Sequence, residues 1–159
     1  MAEASHFDSR GRARMVDVSD KPETLRRAEA ACRVCMGPEA AEAARSGRAA
    51  KGDVLAAARL AGVQAAKRTP ELIPLCHAIR LTRVSVDLDF EDESTLVVHS
   101  EALAVDRTGA EMEALLAASV AALTVYDMLK ALDRTMVVTD LRLLAKSGGR
   151  SGAWQREEP

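Results

Sequence analysis

The stretch EMEALLAASVAALTVYDMLK, residues 111–130, carries charge only at its two ends. Glu111 and Glu113 open it, Asp127 and Lys130 close it, and Ala114 to Val125 holds no charged residue. The glutamates fall in a first helical turn, where the helix dipole favours an anion by roughly 0.3–1 kcal/mol. That is enough to account for them. Asp127 is different, because it sits where the dipole disfavours it. Lys130, three residues on, shares its face. Two readings stand for this pair. One is a surface ion pair of little energetic weight. The other is a carboxylate and an ammonium at a buried edge, with shifted pKa values that suit acid–base work.

Lys51-Gly52-Asp53 stands at another helix start. A cation there opposes the dipole, while the free N–H groups of the first turn can hold an anion. Lys51, Lys67, Lys130, Lys146 and Arg26 could together bind phosphate, although most lysines are simply solvated. The GxxxxGK[ST] spacing of a Walker A loop is absent. Cys76-His77 lies in PELIPLCHA, a loop bracketed by Pro70 and Pro74 and so a stiff binding element. Adjacent residues rarely orient one upon the other as a nucleophile and its base must. Cys32-x-x-Cys35 with Cys76 and His77 makes a four-ligand zinc set on paper. Strand period places the two thiols of the first pair on opposite faces, which argues against it.

These residues need elements to position them. Ala28, Ala30, Cys32, Val34 and Met36 alternate with Arg27, Glu29 and Arg33, which is a strand. Met15–Ser19 alternates too and reads as a short strand. GPEAAEAARSG has Pro38 at a first helical turn and Gly47 at the stop. A second helix runs from about 53 to 67, with Val54, Leu55, Ala58, Ala61, Gly62 and Ala65 on one face. Val84, Val86, Leu88 and Phe90 alternate with polar residues, a turn at 91–94 follows, and 95–105 returns as an antiparallel hairpin. The long helix spans about 110–132. A last strand covers 137–145, and KSGGRSG is a Gly-rich exit. Mixed helices and hairpins define an α+β class, an antiparallel sheet with helices packed on one face.

With 159 residues, 48% hydrophobic and 29% charged, the chain is one globular domain. Residues 1–14 read as a flexible arm, 15–152 as the domain and 153–159 as a flexible tail. Aromatics at 3% leave Ala, Val, Leu and Met to build the core. Alanine buries little area, so burial between subunits is expected. A net charge of −2 with few stacking platforms excludes a general nucleic-acid binder, but not a local site for an anionic small molecule. The apolar run at 114–126 is too short to span a bilayer, and no start resembles a signal peptide. Three cysteines, an odd number, read as reduced thiols in a cytoplasmic protein.

Taken in order, MVDVS, KGDVLAAARLAGVQAAKRT, ELIPLCH, TGAEMEALLAASVAALTVYDMLKALD and RLLAKSGGRSG resemble the cyclic pyranopterin monophosphate synthase (MoaC) family of molybdenum cofactor biosynthesis. The resemblance runs from about Met15 to Gly152. It implies a ferredoxin-like α+β fold, assembled as a homohexamer, a trimer of dimers with active sites at the dimer interface. It implies conversion of 3′,8-cyclo-7,8-dihydro-GTP, the product of an upstream radical enzyme, to cyclic pyranopterin monophosphate and diphosphate. No metal or organic cofactor is implied. The family's essential lysines match Lys51 and Lys130, and its catalytic aspartate matches Asp127. The substrate-binding loop matches Leu75-Cys76-His77, and the paired acids match Glu111-Met112-Glu113. Arg26 and Lys146 match basic residues that reach the site from the neighbouring subunit. The family loop usually continues with proline, where this chain has Ala78. A transient contact with the upstream enzyme is a further implication. Two rivals of other classes stand beside this reading. One is a nucleotide-binding scaffold without activity, which would tolerate loss of Lys51 or Lys130. The other is the zinc module above.

Overall fold

The structure is a computed structural model and describes residues 10–157. The first part of the expected arm, residues 1–9, and the last two residues of the chain lie outside it. The elements run β1 (Thr24–Cys35), α1 (Pro38–Ser46), α2 (Val54–Lys67), α3 (Thr69–Leu72), β2 (Leu81–Phe90), β3 (Thr95–Asp106), α4 (Glu111–Leu129), β4 (Val137–Ser147) and β5 (Trp154–Gln155). One sheet forms in the order β2-β3-β1-β4-β5, antiparallel throughout. The first four strands have the order of a ferredoxin-like fold, and α2 and α4 pack together against the sheet.

Alternation along β1 sends Ala28, Ala30, Cys32 and Val34 fully into the core. They meet a stripe on α4 at Ala114, Ala117, Ala118, Ala121, Ala122, Val125 and Leu129, spaced three and four residues apart as a helix face requires. Small side chains let the layers approach closely. Gly62 on α2 sets the closest point, since a Cβ there would stand 2.7 Å from the Ala117 carbonyl oxygen and 2.9 Å from Val86 Cγ2.

Four local expectations change. Met15–Ser19 joins no sheet, because side chains take its carbonyls: His77 Nε2 bonds the Val16 oxygen at 2.7 Å and Arg107 donates to that of Ser19 at 2.8 Å. The proline-bracketed loop opens with the single turn α3, with Pro70 in its first turn, where the missing N–H costs nothing. The segment expected as a tail forms β5 against Ala145 and Lys146. The apolar run counted as too short for a bilayer belongs to a helix that is long and apolar enough for one by length and composition. Packing against β1, β3, β4 and α2 buries one face of that helix.

Candidate active site

α4 is the axis of the site, and its two ends hold two separate clusters. Asp53 caps α2, accepting from Ala56 N–H at 2.9 Å. The preceding turn projects Lys51 across to the last turn of α4. There its Nζ lies 2.9 Å from Asp127 Oδ2 and 2.8 Å from the Asp127 carbonyl oxygen. Lys130, the C-cap of α4, places its Nζ 2.8 Å from Asp127 Oδ1. The carboxylate thus bridges two ammonium groups, and all three side chains are about half exposed. Hydrogen bonds from Lys130 and then Lys51, with their charges, hold Asp127 down at about 2. It stays ionised near neutrality, so here it orients the lysines and does not supply a proton. The cluster carries one net positive charge on a solvent-facing surface.

The other end of α4 faces a cleft of about 800 Å³ that adjoins a smaller one of about 450 Å³. Glu111 borders both and pairs with Lys146 at 2.8 Å. Arg26 comes from β1 and is nearly buried; it donates to the carbonyls of Asp106 at 3.1 Å and Arg107 at 3.0 Å. Its guanidinium lies against Gly149, where any Cβ would collide with it. Gly148 and Gly149 hold φ of +99° and +72°, a region glycine enters freely. Leu75, Cys76, His77 and Met112 line the smaller cleft.

Glu113 lies beneath this surface, 1% exposed. Its Oε1 is 3.9 Å from Cys76 Sγ, and its Oε2 has no hydrogen-bond partner among the described residues. Desolvation is the main cause, with the charge of Glu111 adding to it, and the carboxyl rises to about 7. Burial, then Glu113 and Glu111, push the Cys76 thiol up as well, so it is not a ready thiolate. Cys32 is no partner for it: that thiol points into the core, 3.4 Å from the Ala118 oxygen. Among the described residues no three His, Cys, Asp or Glu side chains gather as a metal site.

The structure therefore brings together Arg26, Leu75, Cys76, His77, Glu111, Met112, Glu113 and Lys146 at one end of α4. Lys51, Asp127 and Lys130 meet at the other. Glu111 and Asp127 are sixteen residues apart, or about 24 Å along the helix axis at 1.5 Å per residue. Four cations of the larger cleft were given no role from sequence: Arg27 on β1, and Lys21, Arg107 and Arg150. The last three sit in or beside motifs quoted for other reasons, after MVDVS, before TGAE and inside KSGGRSG. Only the sheet order shows that these three motifs share one edge.

The molecule is thus a ferredoxin-like sheet with a cationic cleft at one end of its central helix and a two-lysine carboxylate cluster at the other. The chain belongs to the MoaC family, whose model matches residues 15–149. It is 58% identical to the cyclic pyranopterin monophosphate synthase of Thermomicrobium roseum, over 99% of this chain and 96% of that one. It is 54% identical to the protein of that name from Geobacter metallireducens, over 98% of each. The cyclic pyranopterin monophosphate synthase 3 of Mycobacterium tuberculosis is also 54% identical, over 97% of this chain and 87% of its own.

Proposed function

We propose that this chain is a cyclic pyranopterin monophosphate synthase, a lyase of molybdenum cofactor biosynthesis. It converts 3′,8-cyclo-7,8-dihydro-GTP to cyclic pyranopterin monophosphate with loss of diphosphate. The observation that carries the reading is the larger cleft, where Lys21, Arg26, Arg27, Arg107, Lys146 and Arg150 line a space of about 800 Å³ with one acid, Glu111, among them. Fixed cations of this kind bind a triphosphate and stabilise the charge that develops as diphosphate departs. Glu111, which borders both clefts, presents its carboxyl group to the amino and ring N–H groups of a guanine-derived base, with Glu113 buried beneath it. The ring opening and reclosure move several protons, which calls for acids and bases poised near neutrality. Glu113, at about 7, is one such group. Lys51 and Lys130, oriented by Asp127, are the other catalytic candidates.

The two clusters are too far apart to serve one substrate from a single chain. We place the complete site between two protomers, one giving the Lys51–Asp127–Lys130 end and the other the Glu111–Lys146 end. The outward side of the helical layer supports this, with Leu60 66% and Leu123 57% exposed. A homohexamer, a trimer of such dimers, is the assembly this reading carries, with at most a transient contact to the upstream radical enzyme. The three cysteines are free thiols, in keeping with a cytoplasmic enzyme.

The test is incubation of the purified protein with 3′,8-cyclo-7,8-dihydro-GTP, following diphosphate release and pterin formation together. Wild type turns over, and Lys51→Ala or Lys130→Ala abolishes turnover while the oligomer stays folded. Retained turnover in either variant overturns the role given to that lysine. Binding without turnover by wild type replaces the enzyme with a nucleotide-binding scaffold.

A further inference from the structure

We propose that the β4–β5 hairpin is a clamp that pre-sets the anion-binding cleft, with Trp154 and Arg156 as positioning residues acting through Lys146 and Arg150. This rests on reading the larger cleft as the seat of the substrate's phosphates.

Lys146, the last residue but one of β4, lines the cleft, and its direct cross-strand partner on β5 is Trp154. Beyond β5 the chain is stapled twice more. Arg156 N–H donates to the Leu144 oxygen at 2.8 Å, and Arg156 Nε donates to the Leu143 oxygen at 2.8 Å. The same guanidinium stands 5.8 Å from the centre of the Trp154 ring. Between the strands the turn closes on itself, Gly152 N–H to the Gly149 oxygen at 3.2 Å. Its front is wedged against Arg26 and the Leu25 carbonyl, where a Cβ on Gly149 or Gly148 would collide. The turn is thus held from behind by β5 and from the front by Arg26, and Arg150 and Ser151 are carried into the cleft wall.

Neither Trp154 nor Arg156 borders the larger cleft. Trp154 lies beyond Lys146, in an adjoining hollow of about 300 Å³ whose wall of Arg27, Lys146 and Ser147 it shares with the cleft. Neither touches a ligand in the cleft, so any effect on binding is transmitted. The mechanism is entropic. Released from its staple, a segment with glycine at 148, 149 and 152 is a flexible coil, and a bound anion must then immobilise Arg150 and the turn itself. Ordering a long side chain on binding has an entropic cost, and preorganisation removes it.

Arg156→Pro deletes the N–H bonded to Leu144 together with both side-chain contacts, and changes no residue of the cleft. The expected result is a KM for the cyclised nucleotide raised about fivefold, with kcat within about twofold of wild type. The affinity for inorganic tripolyphosphate, measured by titration calorimetry, should fall by the same factor. Trp154→Ala is the second variant, for use where the proline variant does not fold, with the same two readouts. Unchanged KM and tripolyphosphate affinity in a folded variant overturn the clamp, as does a fall in kcat at constant KM. The functional reading fails separately. Wild type that binds tripolyphosphate but never turns the nucleotide over removes the activity, and weaker tripolyphosphate binding by Arg156→Pro still supports the clamp.

Discussion

Two carboxyls on one helix show how far environment divides a single chemistry. Asp127, between two ammonium groups in open solvent, is held at about 2; Glu113, sealed under Cys76 with one oxygen unpartnered, rises to about 7. The signs of their linkage to folding differ. Asp127 is depressed from 3.8, so its contribution is present above that value and fades as pH falls toward 2. Glu113 is raised from 4.5. Between pH 4.5 and 7 the folded chain keeps a proton that the unfolded chain has released, so stability falls as pH rises through that window. The ceiling on this loss is about 3 kcal/mol, at 1.36 kcal/mol per pKa unit. Glu113→Gln should remove the slope: thermal melts of the variant and wild type should nearly agree at pH 5 and separate at pH 8, the variant melting higher. Equal separation at both values would show that Glu113 does not titrate in the window. The Asp127–Lys130 pair was legible in sequence because three residues on a helix make a contact. The burial of Glu113 was not, since its spacing from Glu111 fits an exposed first turn equally well. Only the packing of the Cys76 loop over it decides.

At the scale of elements, alternation and helical period located the four long strands and the main helices, because each buries one face and the period follows from that. The short pieces escaped. β5 has two residues, too few for a pattern, and Met15–Ser19 alternates without having a strand to pair with. The helix pair α2 and α4 depends on Gly62. Gly62→Ala should cost about 1–3 kcal/mol by overpacking against the Ala117 carbonyl, read from the denaturant midpoint at unchanged slope. A neutral result would mean the helices part without penalty. In β4, Asp140 holds φ of +55° beside a register shift between β1 and β4, and accepts from Arg33 at 2.8 Å. Left-handed backbone costs a non-glycine residue roughly 1–2 kcal/mol. Asp140→Gly should therefore be clearly more stable than Asp140→Ala, which loses the ion pair and keeps the strain.

The whole molecule is organised by the length of α4, which keeps its two charged ends apart. If each site draws one end from each of two protomers, two defects at opposite ends should complement. Lys51→Ala and Arg26→Ala, each inactive alone, should after dissociation and mixed reassembly recover about a quarter of wild-type activity, the statistical share of sites free of both changes in a two-fold dimer. No recovery, with mixed oligomers demonstrated, would place the whole site within one chain.

The alanine-lined contact between α4 and the sheet has a thermodynamic consequence. An alanine has no rotamers to lose, so this core is ordered with almost no side-chain entropy cost. It also hides little apolar area per residue, and the heat capacity of unfolding follows that area. The domain should unfold with less than the usual 12–15 cal/mol/K per residue. Its stability curve would then be broad and flat, so that the folded population, and the clefts with it, persists over a wide range of temperature.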